Sequence, residues 1–93
     1  MEVYRFIVFG KVQGVYYRKF IAQGARKRQI QGYVRNLLDG TVEVVAVLFD
    51  EDLESFRQLL KEGSPLSHVE RIEMERLEED DLLYDGFEIR SNG

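Results

Sequence analysis

Gln31-Gly32-Tyr33-Val34-Arg35-Asn36-Leu37-Leu38-Asp39-Gly40-Thr41-Val42-Glu43-Val44-Val45-Ala46-Val47-Leu48-Phe49 is the stretch that decides the fold. Two runs rich in β-branched and other apolar residues, 31–38 and 41–49, flank Asp39-Gly40. Asp-Gly between such runs is a strong hairpin signal, because glycine tolerates the positive φ that a primed turn requires. The spacing predicts a hairpin closed by a two-residue turn. Its second arm, Thr41 to Phe49, is the clearest strand in the chain.

Helical periodicity flanks this hairpin on both sides. Upstream, residues 18–28 carry Phe20, Ile21 and Ala25 at helical spacing, with Lys19, Arg26 and Lys27 between them. Gly24 weakens that helix by roughly 1 kcal/mol relative to alanine. Before it, residues 2–10 are rich in Val, Ile, Phe and Tyr, apolar on both faces, and suit a central strand. Downstream, Asp50 is placed to cap a second helix, and Glu51, Asp52 and Glu54 favour its positive end. Leu53, Phe56, Leu59 and Leu60 form its apolar stripe, and Gly63 and Pro65 end it. Val69 to Leu77 reads as a charged, alternating strand with Ile72 and Met74 on its inner side. Glu78 to Asp81 reads as an exposed loop, and Phe87 to Arg90 as a short last strand. The order is strand, helix, strand, strand, helix, strand, with a final strand that can pair separately. It predicts the α+β class and a ferredoxin-like split βαβ sandwich, with two helices covering one face of an antiparallel sheet. The order alone does not assign a function.

Composition narrows the field. A chain of 93 residues, 44% hydrophobic with six Phe and five Tyr, fits one domain over residues 1–93 with one modest core. Thirteen basic against 17 acidic residues leave a net charge of -4, unfavourable for general nucleic-acid binding. Without cysteine there is neither a disulfide framework nor a thiolate metal site, and one histidine excludes most histidine-based metal clusters. No apolar run approaches the roughly 20 residues of a membrane span. The N-terminus lacks a signal-peptide pattern, so a cytoplasmic, monomeric protein without metal or cofactor is expected.

The run with chemical potential is Gly10-Lys11-Val12-Gln13-Gly14-Val15-Tyr16-Tyr17-Arg18, where the first strand gives way to the first helix. Two glycines allow a tight curl, and the amides of Lys11, Val12, Gln13, Gly14 and Val15 lie between or beside them. Curled near a helix N-terminus, such amides form a nest for phosphate or carboxylate. Arg18, in the first helical turn, can lie beside the same spot and grip two oxygens of a phosphoryl group. The bland alternative is a turn followed by a solvated arginine. The spacing matches neither GxxxxGK[ST] nor GxGxxG. Asn36, late in the second strand, either bonds local backbone or orients a water, and the second role requires that strand to lie beside the loop. Tyr4, Phe6, Tyr16 and Tyr17 read as core and loop packing. The basic first helix reads as a solvated face or as an attractor of anions.

In residue type and spacing, GKVQGVYYR (10–18), GYVRN (32–36) and DGTVE (39–43) together resemble the acylphosphatase signature. A weaker similarity extends over nearly the whole chain, so residues 1–93 resemble a single acylphosphatase-like domain. The resemblance implies hydrolysis of the carboxyl–phosphate bond of a small acyl phosphate, without a metal, and implies the same ferredoxin-like fold. By position, Arg18 would hold the phosphoryl group alongside the amides of Lys11, Val12, Gln13, Gly14 and Val15, and Asn36 would orient the attacking water. No general base stands out. His68, after the second helix, reads as a surface or loop residue, which leaves substrate or solvent to take the water's proton. A departure occurs at Arg28-Gln29-Ile30, where family members usually carry Leu-Gly-Leu. A left-handed Gln29 would cost on the order of 1 kcal/mol. The alternatives are a non-catalytic anion- or RNA-binding module of the same fold, or a relative of the acylphosphatase-like part of larger carbamoyl-phosphate-processing proteins.

Overall fold

The computed structural model describes residues 1–78 and 84–93. In chain order they form β1 (Glu2–Lys11), α1 (Tyr17–Lys27), β2 (Gln31–Asn36), β3 (Val42–Leu48), α2 (Asp50–Glu62), β4 (His68–Leu77) and β5 (Phe87–Ile89). The sheet order is β4-β1-β3-β2-β5. Strand β1 pairs antiparallel with β3 and β4, and β2 pairs antiparallel with β3. This is the split βαβ sandwich predicted from the element order. The sheet is mixed rather than purely antiparallel, because the short last strand joins its edge parallel to β2.

Strand alternation sorts the side chains. Phe6 and Val8 of β1, Val34 of β2, and Val42, Val44 and Leu48 of β3 face the helices. There they meet Ile21 and Ala25 of α1 and Phe56 and Leu60 of α2 in the main core. Val3, Val45 and Val47 form a smaller cluster on the opposite face with Tyr33 and Leu77. Gly24 has a packing reason: a Cβ there would stand 2.8 Å from the Leu59 side chain, so its absence lets α1 and α2 approach.

Local chemistry departs from expectation at the hairpin. Asn36 pairs with Val42, and the Leu37 N–H donates to the Thr41 carbonyl at 2.9 Å. Three residues, Leu38, Asp39 and Gly40, therefore make the loop, where a two-residue turn was predicted. Gly40, at φ +93, donates to the Leu37 carbonyl at 3.2 Å. The positive φ falls on glycine as argued, but in the longer hairpin with its extra residue. The predicted cap of α2 also shifts. Phe49 is the N-cap, while Asp50 begins the helix and accepts a 2.7 Å hydrogen bond from the Tyr4 hydroxyl. Of the loop predicted at Glu78 to Asp81, only Glu78 lies within the described residues, and it is exposed.

The end of α1 shows how the chain manages without glycine. Gln29 adopts φ +56. Its N–H donates to the Arg26 carbonyl at 3.1 Å, and the Ile30 N–H to the Ala25 carbonyl at 3.0 Å. These two bonds make a complete Schellman closure, with glutamine in the seat that favours glycine.

Candidate active site

A bulge aims the loop. The β1–β4 register shifts between Phe9 and Gly10, so that Phe9 faces Arg71 and Gly10 faces Val69. Gly10 has φ +131, and a Cβ there would overlap the His68 carbonyl oxygen. Only glycine fits, and the bulge turns the chain out of the sheet.

Three anchors then hold the loop. Val12 and Val15 are buried, whereas Gly14 is exposed with open space around it. The Gln13 side-chain amide donates to the carbonyls of Leu37 at 2.9 Å and Thr41 at 2.8 Å. It thereby ties the loop to the hairpin immediately after Asn36. On the other side, the buried Ser64 hydroxyl donates to the Val15 carbonyl at 2.7 Å. The Tyr17 hydroxyl donates to the Leu60 carbonyl at 2.7 Å, and burial pushes its pKa well up. Among the described residues, none of the amides of Val12, Gln13, Gly14 and Val15 donates to a protein acceptor. Four N–H groups in one curled loop before a helix are left for something else. Lys11 belongs to β1 and pairs with His68, so it borders the loop.

Arg18 is the second residue of α1 and is half-buried. Among the described residues no carboxylate pairs with it. Asn36 ends β2 opposite Val42, on the helix-facing side, and is only 7% exposed. Its Oδ1 is buried and has no hydrogen-bond partner among the described residues. Its backbone carbonyl accepts from the Gly93 N–H at 2.9 Å, and the Leu38 N–H donates to the Gly93 carbonyl at 3.1 Å. The hairpin is stiffened at Asp39, whose Oδ1 accepts from the Thr41 hydroxyl at 2.6 Å and the Thr41 N–H at 3.0 Å. These bonds, the hydroxyl's foremost, hold the Asp39 carboxyl below its usual range.

The sequence points to Arg18, Asn36 and the loop residues, but not to all of their supports. Thr41 was findable, because Asp followed two residues later by Thr suits an Asx-type turn. Ser64 was not, since nothing in the local sequence joins residue 64 to residue 15. Tyr17 is buried as expected, whereas Tyr16 is 75% exposed. His68 is exposed, as read, but begins β4 rather than lying in a loop. Among the described residues, no group of three or more His, Asp or Glu could hold a metal ion.

Free amides beside an arginine that no carboxylate engages suit a tetrahedral oxyanion. Fold and loop together therefore describe a ferredoxin-like domain of the phosphoryl-handling kind. Comparison with known proteins narrows this further. The family model described as acylphosphatase matches residues 4–89. An acylphosphatase of Bacillus licheniformis is 42% identical over 88 residues, 95% of this chain and 93% of that protein. The crystal structure of acylphosphatase from Bacillus subtilis superposes with a TM-score of 0.89 at 39% identity, covering 97% of this chain and 99% of that one. A further similarity is more local: the T. kodakarensis HypF structure has a TM-score of 0.82 at 34% identity, covering 98% of this chain but 12% of that one. The chain belongs to the acylphosphatase family. Its activity is hydrolysis of the carboxyl–phosphate bond of acyl phosphates, releasing a carboxylate and inorganic phosphate.

Proposed function

We propose that Arg18 and the amides of Lys11, Val12, Gln13, Gly14 and Val15 hold the phosphoryl group of a small acyl phosphate, while Asn36 orients the attacking water. The water oxygen bonds to phosphorus as the bond from phosphorus to the acyl oxygen breaks. The acyl group leaves as a carboxylate, which is stable without protonation at neutral pH. The water's proton passes to a phosphoryl oxygen or to solvent. No strong acid is needed, so positioning and charge stabilisation supply most of the barrier reduction. Arg18 and the amides meet the charge on the phosphoryl oxygens, a role that a metal fills elsewhere.

One observation carries this reading: the buried Oδ1 of Asn36 has no hydrogen-bond partner among the described residues. A buried amide oxygen without a hydrogen bond is destabilising by about 1–3 kcal/mol, and a water donating to it would remove that deficit. In this reading residues 1–93 act as a single acylphosphatase-like domain, supported by the family match over 4–89. No described helix is long and apolar enough to cross a membrane. A cytoplasmic monomer without a nucleic-acid partner is the form we propose, in keeping with the net charge of -4.

Metal-free hydrolysis of benzoyl phosphate by the wild type, Arg18→Ala and Asn36→Ala tests it. Each substitution should lower kcat/KM by roughly 100-fold or more, the effect of removing a transition-state donor. Activity surviving in folded Arg18→Ala would overturn that residue's role, and activity surviving in folded Asn36→Ala would overturn the water-orienting role.

A further inference from the structure

The cavity beside Arg18 has apolar rims that phosphoryl chemistry does not use. Its volume is about 370 Å³, a size that suits a small molecule rather than a phosphoryl group alone. Tyr16, Arg18, Lys19 and Ile89 surround it above Val12 and Gly14. Tyr16 is 75% exposed and sits at φ +61, so neither burial nor a relaxed backbone accounts for its ring. Ile89 is 43% exposed although it lies on the helix-facing side of β5, the side on which Phe87 is buried.

One side-chain bond and several backbone bonds deliver Ile89 to this place. Arg26, near the end of α1, donates from Nε to the Phe87 carbonyl at 3.0 Å. Ile89 pairs with Val34, the Arg90 N–H donates to the Val34 carbonyl at 2.9 Å, and the Gly93 N–H reaches the Asn36 carbonyl. Segment 87–93 therefore runs back along β2 from the end of α1 towards its start. Ile89 arrives beside Arg18 and Lys19, four residues before Gly93 meets the hairpin.

We propose that Ile89 and Tyr16 form the acyl-side wall of the substrate site, selecting acyl phosphates with an apolar, preferably aromatic, acyl group. The inference rests on the placement of the phosphoryl group at Arg18. With that group fixed there, the carboxyl end of the substrate extends into the remaining cavity. An apolar acyl group then covers two exposed apolar side chains, and a small one such as acetyl leaves them wet.

The test is the ratio of kcat/KM for benzoyl phosphate to that for acetyl phosphate. Measured on one sample, the ratio does not depend on how much protein is folded. Ile89→Ala should lower it roughly tenfold, the low end of what a hydrophobic pocket gives per group. Tyr16→Ala should lower it as well, and Ile89→Val less than Ile89→Ala. Arg18→Ala should depress both substrates in parallel. A ratio unmoved by both Ile89→Ala and Tyr16→Ala, with the wild type active on both substrates, overturns the acyl wall alone. A wild type that hydrolyses neither substrate overturns the placement on which the wall rests.

Discussion

The two faces of the sheet treat arginine in opposite ways. On the open face, Glu43 is nearly inaccessible, and both of its oxygens are taken. Arg5 Nε lies 2.6 Å from Oε2 and Arg35 Nε 2.6 Å from Oε1, with the Glu43 side chain 4% exposed. On the helix-facing side, among the described residues, Arg18 has no such carboxylate and the buried oxygen of Asn36 has no donor. The first region satisfies its polar groups within the protein, so it contributes stability. The second leaves donors and an acceptor open, so its partners come from outside. Equal residue types thus sort into structure and chemistry by whether the fold completes their hydrogen bonds.

Arg18 offers the largest break in that comparison. Replacing it by lysine keeps the charge but loses the planar two-point grip. We expect kcat/KM to fall by roughly 100-fold, about 2.7 kcal/mol of transition-state stabilisation. The unfolding free energy from urea titration should stay within about 0.5 kcal/mol of wild type, because no partner among the described residues is lost. A large loss of stability would show that Arg18 has a structural role like that of Arg5 and Arg35.

Glu43 should behave in the reverse manner. Glu43→Ala removes the shared anion between two arginines that still reach water, so the cost is about 2–3 kcal/mol rather than the full value for a sealed pair. Turnover per folded molecule should persist. The pH dependence has a definite sign. Burial alone pushes the Glu43 pKa up, but hydrogen bonds and charge from Arg5 and Arg35 outweigh it, and the net direction is down. The stabilisation is therefore complete above the unfolded value of about 4.3 and fades as pH falls through the lower folded value. Urea midpoints measured from pH 7 to pH 3 should drop less steeply below about pH 4.5 in Glu43→Gln than in wild type.

Asn36→Leu sharpens the contrast with a smaller effect. It removes a buried, unpartnered oxygen and offers an apolar side chain to a site flanked by Val34 and Val42. Stability should rise by about 1 kcal/mol while hydrolysis is lost. A destabilised Asn36→Leu would mean that the amide bonds the protein after all.

The architecture was legible because its signal is periodic. The strand β3 and the stripe of Leu53, Phe56, Leu59 and Leu60 declare themselves within a few residues. The loop and Arg18 were legible as chemistry because glycine and arginine have narrow physical uses. Three things were not legible, each for want of a local signal. The hairpin loop gained a residue because Thr41 bonds back to Asp39, which competes with the two-residue turn that Asp39-Gly40 suggests. The direction of β5 depends on its partner, and Phe87-Glu88-Ile89 contains nothing that says parallel. The anchors Gln13 and Ser64 act across 24 to 49 positions of sequence, where side-chain chemistry names a donor but not its acceptor.

Gln29 is the place where the sequence foretold a cost and the structure keeps it. The residue sits at φ +56 on the surface, and both Schellman bonds are made by backbone N–H groups. Its side chain is thus a spectator, while its Cβ incurs about 1–2 kcal/mol of left-handed strain. Gln29→Gly relieves that strain but gives the unfolded chain more freedom, which offsets part of the gain. The net expectation is a stabilisation of about 0.5–1 kcal/mol, or roughly 4 °C in Tm for a chain of this size. Gln29→Ala keeps the Cβ and the strain, so its Tm should match wild type. If glycine and alanine shift Tm equally, the left-handed strain is not what limits this helix end. If both lower it, the Gln29 side chain is bonded in solution, and the cap resembles the satisfied Glu43 region more than its backbone suggests.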